Sequence, residues 1–158
     1  MKKIIIGLLA VLMLVGCKGK KNTGPDLSGD KLYCVLDPKP EGGSSEVTAY
    51  YEDDEILYVT ANVKTPQATK DIEVILATTG LITAAVSSVK GLKVELSAND
   101  AKDVLITTVD VDYKQMDWEA FRKLAEKFNV QLPAVISEED RSLSNLRAKA
   151  EAGGFTCN

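Results

Sequence analysis

The sequence predicts an α+β fold: an antiparallel sheet of about five strands packed against two or three helices, in the order βββ-α-ββ-α-α. Three observations carry this. Several segments alternate apolar and polar residues, as half-buried strands do. They are joined by short turn-forming runs, not by regular crossover helices, so they read as hairpins. The apolar repeats at helical spacing lie between and after the strands, which separates this pattern from a doubly wound sheet.

Lys31 to Asp37 alternates, with Leu32, Cys34 and Leu36 on one face. Pro38, Pro40 and Gly42-Gly43 end it. Ser45 to Tyr51 is rich in β-formers. Glu52-Asp53-Asp54-Glu55 reads as a hairpin tip, and Ile56 to Lys64 continues with Leu57, Val59, Ala61 and Val63 on one face. Thr65-Pro66 reads as a helix start, with Thr as N-cap and Pro in the first turn. Ile72, Ile75, Leu76, Ile82, Val86 and Val89 follow at helical spacing. Gly80 weakens that helix, and Gly91 marks its stop. Leu92, Val94 and Leu96 alternate with Lys93, Glu95 and Ser97, and Val104 to Tyr113 is a long strand. Asp117 is the expected N-cap of a helix over 118–128, with Phe121, Leu124, Ala125 and Phe128 as its stripe. Ser137-Glu138-Glu139-Asp140 resembles a capping box opening the last helix, which buries Leu143, Leu146 and Ala150 and ends at Gly153-Gly154.

Ahead of this domain stands a different kind of sequence. Met1-Lys2-Lys3 is basic, and Ile4 to Val15 is almost wholly apolar. The run suits the core of a signal peptide and is shorter than the ~20 residues a membrane span needs. It ends in Leu14-Val15-Gly16-Cys17, which resembles a bacterial lipobox. That reading makes 1–16 a signal peptide and Cys17 the site of a diacylglyceryl group and an N-acyl chain. An ordinary secretory signal with a chance Cys, or an unprocessed anchor, is the alternative. Residues 17–30 then form a polar tether, and 31–158 a single domain. Lys18, Lys20 and Lys21 would sit near anionic headgroups. The expected location is the bacterial envelope, outside the cytoplasm, held to the membrane by the N-terminal lipid.

Composition excludes more than it assigns. Of 158 residues, 45% are hydrophobic and 27% charged, which is globular and not disordered. The formal charge is −4, and loss of Lys2 and Lys3 on processing takes it to −6, so nucleic acid is not an expected partner. There is no His, which removes Ser-His-Asp and Cys-His nucleophile pairs and His-ligated zinc. With Cys17 spent on lipid, Cys34 and Cys157 remain. In an exported chain an even remainder suggests a disulfide, closing a loop of about 124 residues worth roughly 5 kcal/mol. Two buried thiols are the alternative.

The order of these features resembles the YehR-like bacterial lipoproteins, small envelope proteins of unknown function. The resemblance rests on the lipobox, the tether, the meander and the helix to Val89. It continues through Gly91-Leu92-Lys93-Val94-Glu95, Thr107 to Tyr113, and a helical C-terminus closing on Ala152-Gly153-Gly154-Phe155. It implies an antiparallel sheet packed on helices and brings no catalytic or ligand residues, and no cofactor is expected. The regular helix over 118–128 is longer than the resemblance implies.

Candidate sites are few. Asp110 and Asp112 share one face of a strand, about 7 Å apart by the strand rise. They suit a cation or a metal-assisted hydrolase, or simply a solvent face. The Glu52–Glu55 run suits Ca²⁺ or a solvated tip, and lacks the spacing of a calcium loop. Tyr113, Trp118 and Phe121 form a binding patch or core. Tyr50, Tyr51 and Tyr58 pack across strands or face a partner. Ser87, Ser88 and Lys90 lack the setting of a nucleophile elbow. The functional expectation is a non-catalytic binding domain for a protein or small-molecule partner. The alternatives are a small apolar ligand carrier with a cavity between sheet and helices, and the hydrolase.

Overall fold

The computed structural model describes residues 27, 29–36, 42–129, 136 and 141–158. The expected features at Cys17, the residues before it, Lys18, Lys20, Lys21, Pro38, Pro40 and Ser137 to Asp140 lie outside the described residues.

The fold is α+β, as expected, with six strands and three helices among the described residues. The strands are β1 (Asp30–Leu36), β2 (Ser44–Glu52), β3 (Glu55–Pro66), β4 (Leu92–Ala98), β5 (Val104–Asp112) and β6 (Thr156–Cys157). The helices are α1 (Thr69–Val86), α2 (Trp118–Phe128) and α3 (Leu143–Ala152). All strands pair antiparallel in the order β4-β5-β3-β2-β1-β6. One sheet face carries Leu32, Cys34, Val47, Ala49, Val59, Ala61, Leu92, Val109 and Val111, all buried. Val86, Trp118, Phe121, Leu146 and Ala150 of the helices complete that core. The helices therefore cover this face. Burying it supplies the main driving force for folding.

Three expectations are corrected. Leu57 was expected on the core face of β3, yet Ile56 is buried there. The β2–β3 register shifts between Tyr50 and Tyr51, which pair with Tyr58 and Ile56, so Leu57 is an extra residue. A bulge of this kind puts Ile56 and Val59 on the same side despite odd spacing. The Leu57 carbonyl accepts from Tyr113 N–H at 3.0 Å.

The helix expected at Thr65-Pro66 begins at Thr69 instead. Thr65 and Pro66 pair with Leu105 and Val104, extending β3. Gln67 N–H donates toward β5, to Asp103 O at 3.0 Å. By alternation the Pro66 nitrogen faces the β2 side, where β2 has already ended at Ser44, so the missing N–H costs no ladder bond. Phe128, expected in the α2 stripe, is partly exposed at the helix end.

The last helix is capped by Ser142, whose side chain accepts from Asn145 N–H. The chain then returns as β6, the sixth strand. Tyr33 and Asn158 exchange both backbone bonds, at 3.1 and 2.9 Å, and Cys34 stands opposite Cys157. Those two cysteines form a disulfide. Asp117 caps α2 as expected, accepting from Ala120 N–H at 2.9 Å, and Asn129 closes it at φ 51°.

One glycine is required by the layout. Gly91 has φ +80°, and a Cβ there would meet Met116 N at 2.5 Å. Its carbonyl accepts from Asp112 N–H, and the neighbouring Lys90 carbonyl accepts from Asp117 N–H. This contact sets where β5 hands over to α2.

Candidate functional site

The other sheet face has no helix over it among the described residues. Alternation in the strands places Glu46, Thr48 and Tyr50 of β2 beside Tyr58, Thr60, Asn62 and Lys64 of β3. Thr108, Asp110 and Asp112 of β5 lie next to these, then Lys93 and Glu95 of β4.

Its side chains are held by one another. Thr60 Oγ1 donates to Asp110 Oδ1 at 2.6 Å. Thr108 Oγ1 donates to Asn62 Oδ1 at 2.8 Å. Lys64 Nζ reaches Glu46 Oε1 at 3.2 Å, and Lys93 Nζ reaches Glu95 Oε1 at 2.8 Å. Tyr50 and Tyr58 meet edge-on, ring centres 6.0 Å apart, with Lys31 Nζ 5.1 Å from the Tyr50 ring. Lys93 and Glu95 lie two apart along β4; the other pairs join directly opposite or diagonal neighbours on adjacent strands, the arrangement by which antiparallel strands stabilise one another. Burial, and then the Asp110 charge, push the Tyr58 phenol up to about 12. It stays protonated as a hydrogen-bonding group across the physiological range.

Asp110 and Asp112 lie on this face as expected but do not act together. Asp110 accepts from Thr60. Asp112 serves its own turn, accepting from Lys114 N–H, Gln115 N–H and Gln115 Nε2 at 3.0, 3.2 and 2.6 Å. Among the described residues no group of three or more His, Cys, Asp or Glu is placed to hold a metal ion.

The acidic tip is neither a calcium loop nor simply solvated. Asp54 accepts from Ser142 Oγ at 2.6 Å, Ser144 N–H at 2.9 Å and Ser144 Oγ at 2.6 Å. Its backbone carbonyl takes Leu143 N–H at 2.8 Å. The tip thus clamps the start of α3, where a negative charge is favoured by the unpaired amides and the helix dipole. The Ser142 and Ser144 hydroxyls and the Ser144 amide hold the Asp54 carboxyl below its ordinary value. Reading the sequence missed this role, because the serines lie 88 and 90 residues away.

Tyr113 and Trp118 are core, buried and edge-on with ring centres at 5.7 Å, and Phe121 is buried with them. Tyr51 packs against the core, on the same face of β2 as Val47 and Ala49. Ser87 Oγ bonds both N–H and C=O of Val94 at 3.1 Å, and Ser88 Oγ donates to Ala85 O. The first ties the end of α1 to β4, and the second closes the last turn of α1. Three surface concavities, of ≈ 450, 430 and 340 Å³, are open clefts and not an enclosed space between sheet and helices. No helix among the described residues is long and apolar enough to cross a membrane.

No protein-family model matches the chain, and no curated protein matches it. Two solved structures are similar in fold. The NMR structure of a protein from Streptococcus pneumoniae TIGR4 has a TM-score of 0.57 at 19% identity, over 82% of this chain and 84% of that one. The NMR structure of the E. coli YehR protein has a TM-score of 0.57 at 18% identity, over 82% of this chain and 92% of that one. At such identity the likeness speaks for the fold, and the fold of this chain is YehR-like, as the resemblance in the sequence implied.

Proposed function

We propose that the chain is a lipid-anchored protein of the bacterial envelope whose domain binds a protein partner, without catalysis, through the open face of its sheet. The observation that carries the reading is that face itself. No helix covers it among the described residues, and its polar side chains are already paired across strands, with an aromatic pair at one end. An open sheet face suits a macromolecule, because small molecules are held in concave, largely apolar pockets. Tyrosines contribute strongly to such contacts at small entropic cost. The lipobox and tether support anchoring. The apolar-carrier reading would need an enclosed cavity in place of the open clefts.

The two halves are tested separately. Cys17→Ala should move the protein from the membrane to the soluble fraction, and an unchanged membrane fraction refutes the anchor. Capture of the lipidated chain from its own membrane should retain a partner that Asn62→Arg releases. Undiminished retention by that variant places binding elsewhere.

A further inference from the structure

The cleft of ≈ 450 Å³ lies at the end of the sheet where the chain enters β1. Gly29 and Asp30 at that entry form one wall, Tyr51, Glu52 and Asp53 of the first hairpin another, and Lys114 stands beside them. The cleft therefore holds three carboxylates and one ammonium. None of these four charged groups has a hydrogen bond or ion pair among the described residues. They differ in this from Asp54, Asp112 and Asp117 nearby, whose carboxylates are taken by amides and hydroxyls of the fold. The other charges at this end are Glu55, Lys31, Lys90 and Arg141, all exposed. Lys31 Nζ lies over the Tyr50 ring, on the open face. The acidic excess at this end survives the full tally.

The chain itself carries the complementary charge. Lys18, Lys20 and Lys21, outside the described residues, place three positive charges within four positions. Between Lys21 and Gly29 the one charged residue is Asp26. The seven residues 22–28 reach at most about 25 Å. The lysines thus stay within reach of a cleft whose wall is their own continuation. A linker this short holds its two ends at an effective concentration in the millimolar range. Exposed ion pairs are weak singly, which keeps such a contact reversible.

We propose that this cleft receives Lys18 to Lys21 of the same chain, and that anionic membrane lipid competes for the same lysines. The inference rests on the lipid anchor at Cys17 proposed above. On a neutral bilayer the lysines lie in the cleft, and the domain is held close to the headgroups with its first hairpin toward them. An anionic surface attracts each lysine, so there they leave the cleft and residues 22–29 become the leash on which the domain stands off. Lipid charge thereby sets how far the open face reaches from the membrane.

Zero-length carbodiimide coupling joins an ammonium to a carboxylate only where the two touch, and digestion with mass measurement locates the link. The lipidated chain in phosphatidylcholine vesicles should give links from Lys18, Lys20 or Lys21 to Asp30, Glu52 or Asp53. With about one third of the lipid as phosphatidylglycerol these links should fall about tenfold, since each lysine favours the anionic surface. Links between Lys64 and Glu46, and between Lys93 and Glu95, are the constant reference, because those groups are already ion-paired on the sheet. Glu52→Gln/Asp53→Asn changes exposed side chains, should remain folded, and should lower the links to Asp30 in neutral vesicles. Lysine links that are absent from neutral vesicles, spread over carboxylates away from the cleft, or indifferent to lipid charge overturn the inference. Flotation with the vesicles reads the anchor separately. A chain that does not float refutes the anchor, and coupling of that same chain in solution still decides whether the cleft holds the lysines.

Discussion

The double substitution Cys34→Ala/Cys157→Ala tests how the C-terminal strand is held. Cys34 is fully buried in β1, and its partner lies 123 residues away in a strand of two residues. β6 has little else to keep it: the Tyr33–Asn158 pair and the short return from α3. The bridge encloses most of the folded chain. In the chain-entropy description a loop of this size removes about 16 cal/mol/K from the unfolded ensemble, or about 5 kcal/mol at room temperature. Replacing the buried sulfur adds a small packing loss. The expected destabilisation is about 3–5 kcal/mol, a large part of the ~5–15 kcal/mol typical of a domain. Urea unfolding followed by the fluorescence of Trp118, the single tryptophan, should show the midpoint fall by about 2 M for an m-value near 2 kcal/mol/M. Hydrogen exchange supplies the local half. The Tyr33 amide, which donates to Asn158, should lose protection while Val59 in β3 keeps it. A change below about 1 kcal/mol, with Tyr33 still protected, would show that packing and not the bridge holds the terminus.

Two further predictions concern ionisation. The Asp54 carboxyl is held below its ordinary value by the serines of α3. A depressed folded value stabilises above the unfolded value of 3.8 and stops doing so as pH falls through the folded one. Asp54→Ala should therefore lower the melting temperature at neutral pH, with the gap to wild type closing as pH falls below 3.8 and through the depressed folded value; a gap constant with pH contradicts the clamp. Tyr58 is raised to about 12, by burial first and the Asp110 charge second. Its contribution is present below the ordinary value of 10 and is lost as pH rises through about 12. In an ultraviolet titration Asp110→Asn should bring this phenol down part of the way toward 10, since burial remains. An unmoved titration would remove Asp110 as a cause.

What could be read from the sequence was what local pattern determines. The alternation of β4, the Asp117 cap and the cysteine pair need only neighbouring residues or simple counting. The missed features depend on distant ones. β6 has two residues, too few for any periodicity, and exists because Cys34 and Tyr33 of β1 receive it. The Leu57 bulge is invisible because Ile56 and Leu57 are both apolar, and only the β2 register selects between them. Thr65-Pro66 carries a genuine helix-start signal, which lost to nine residues of pairing with β5. At the candidate site, the tyrosines of the first hairpin were visible as a group. Which of them faced out was not, because the same bulge decides it.

The carboxylates that most resemble chemistry are largely taken up by architecture. Asp54 holds α3, Asp117 caps α2, and Asp112 closes the turn after β5. Each accepts hydrogen bonds from groups the fold must satisfy. A carboxylate engaged in this way is a poor starting point for proton transfer, since giving up its donors would leave backbone amides without partners. Asp110 remains, bound to Thr60 in a row of paired polar groups, and it lines none of the three clefts described above. On the reading proposed above, the face presents to a partner donors and acceptors already fixed by one another.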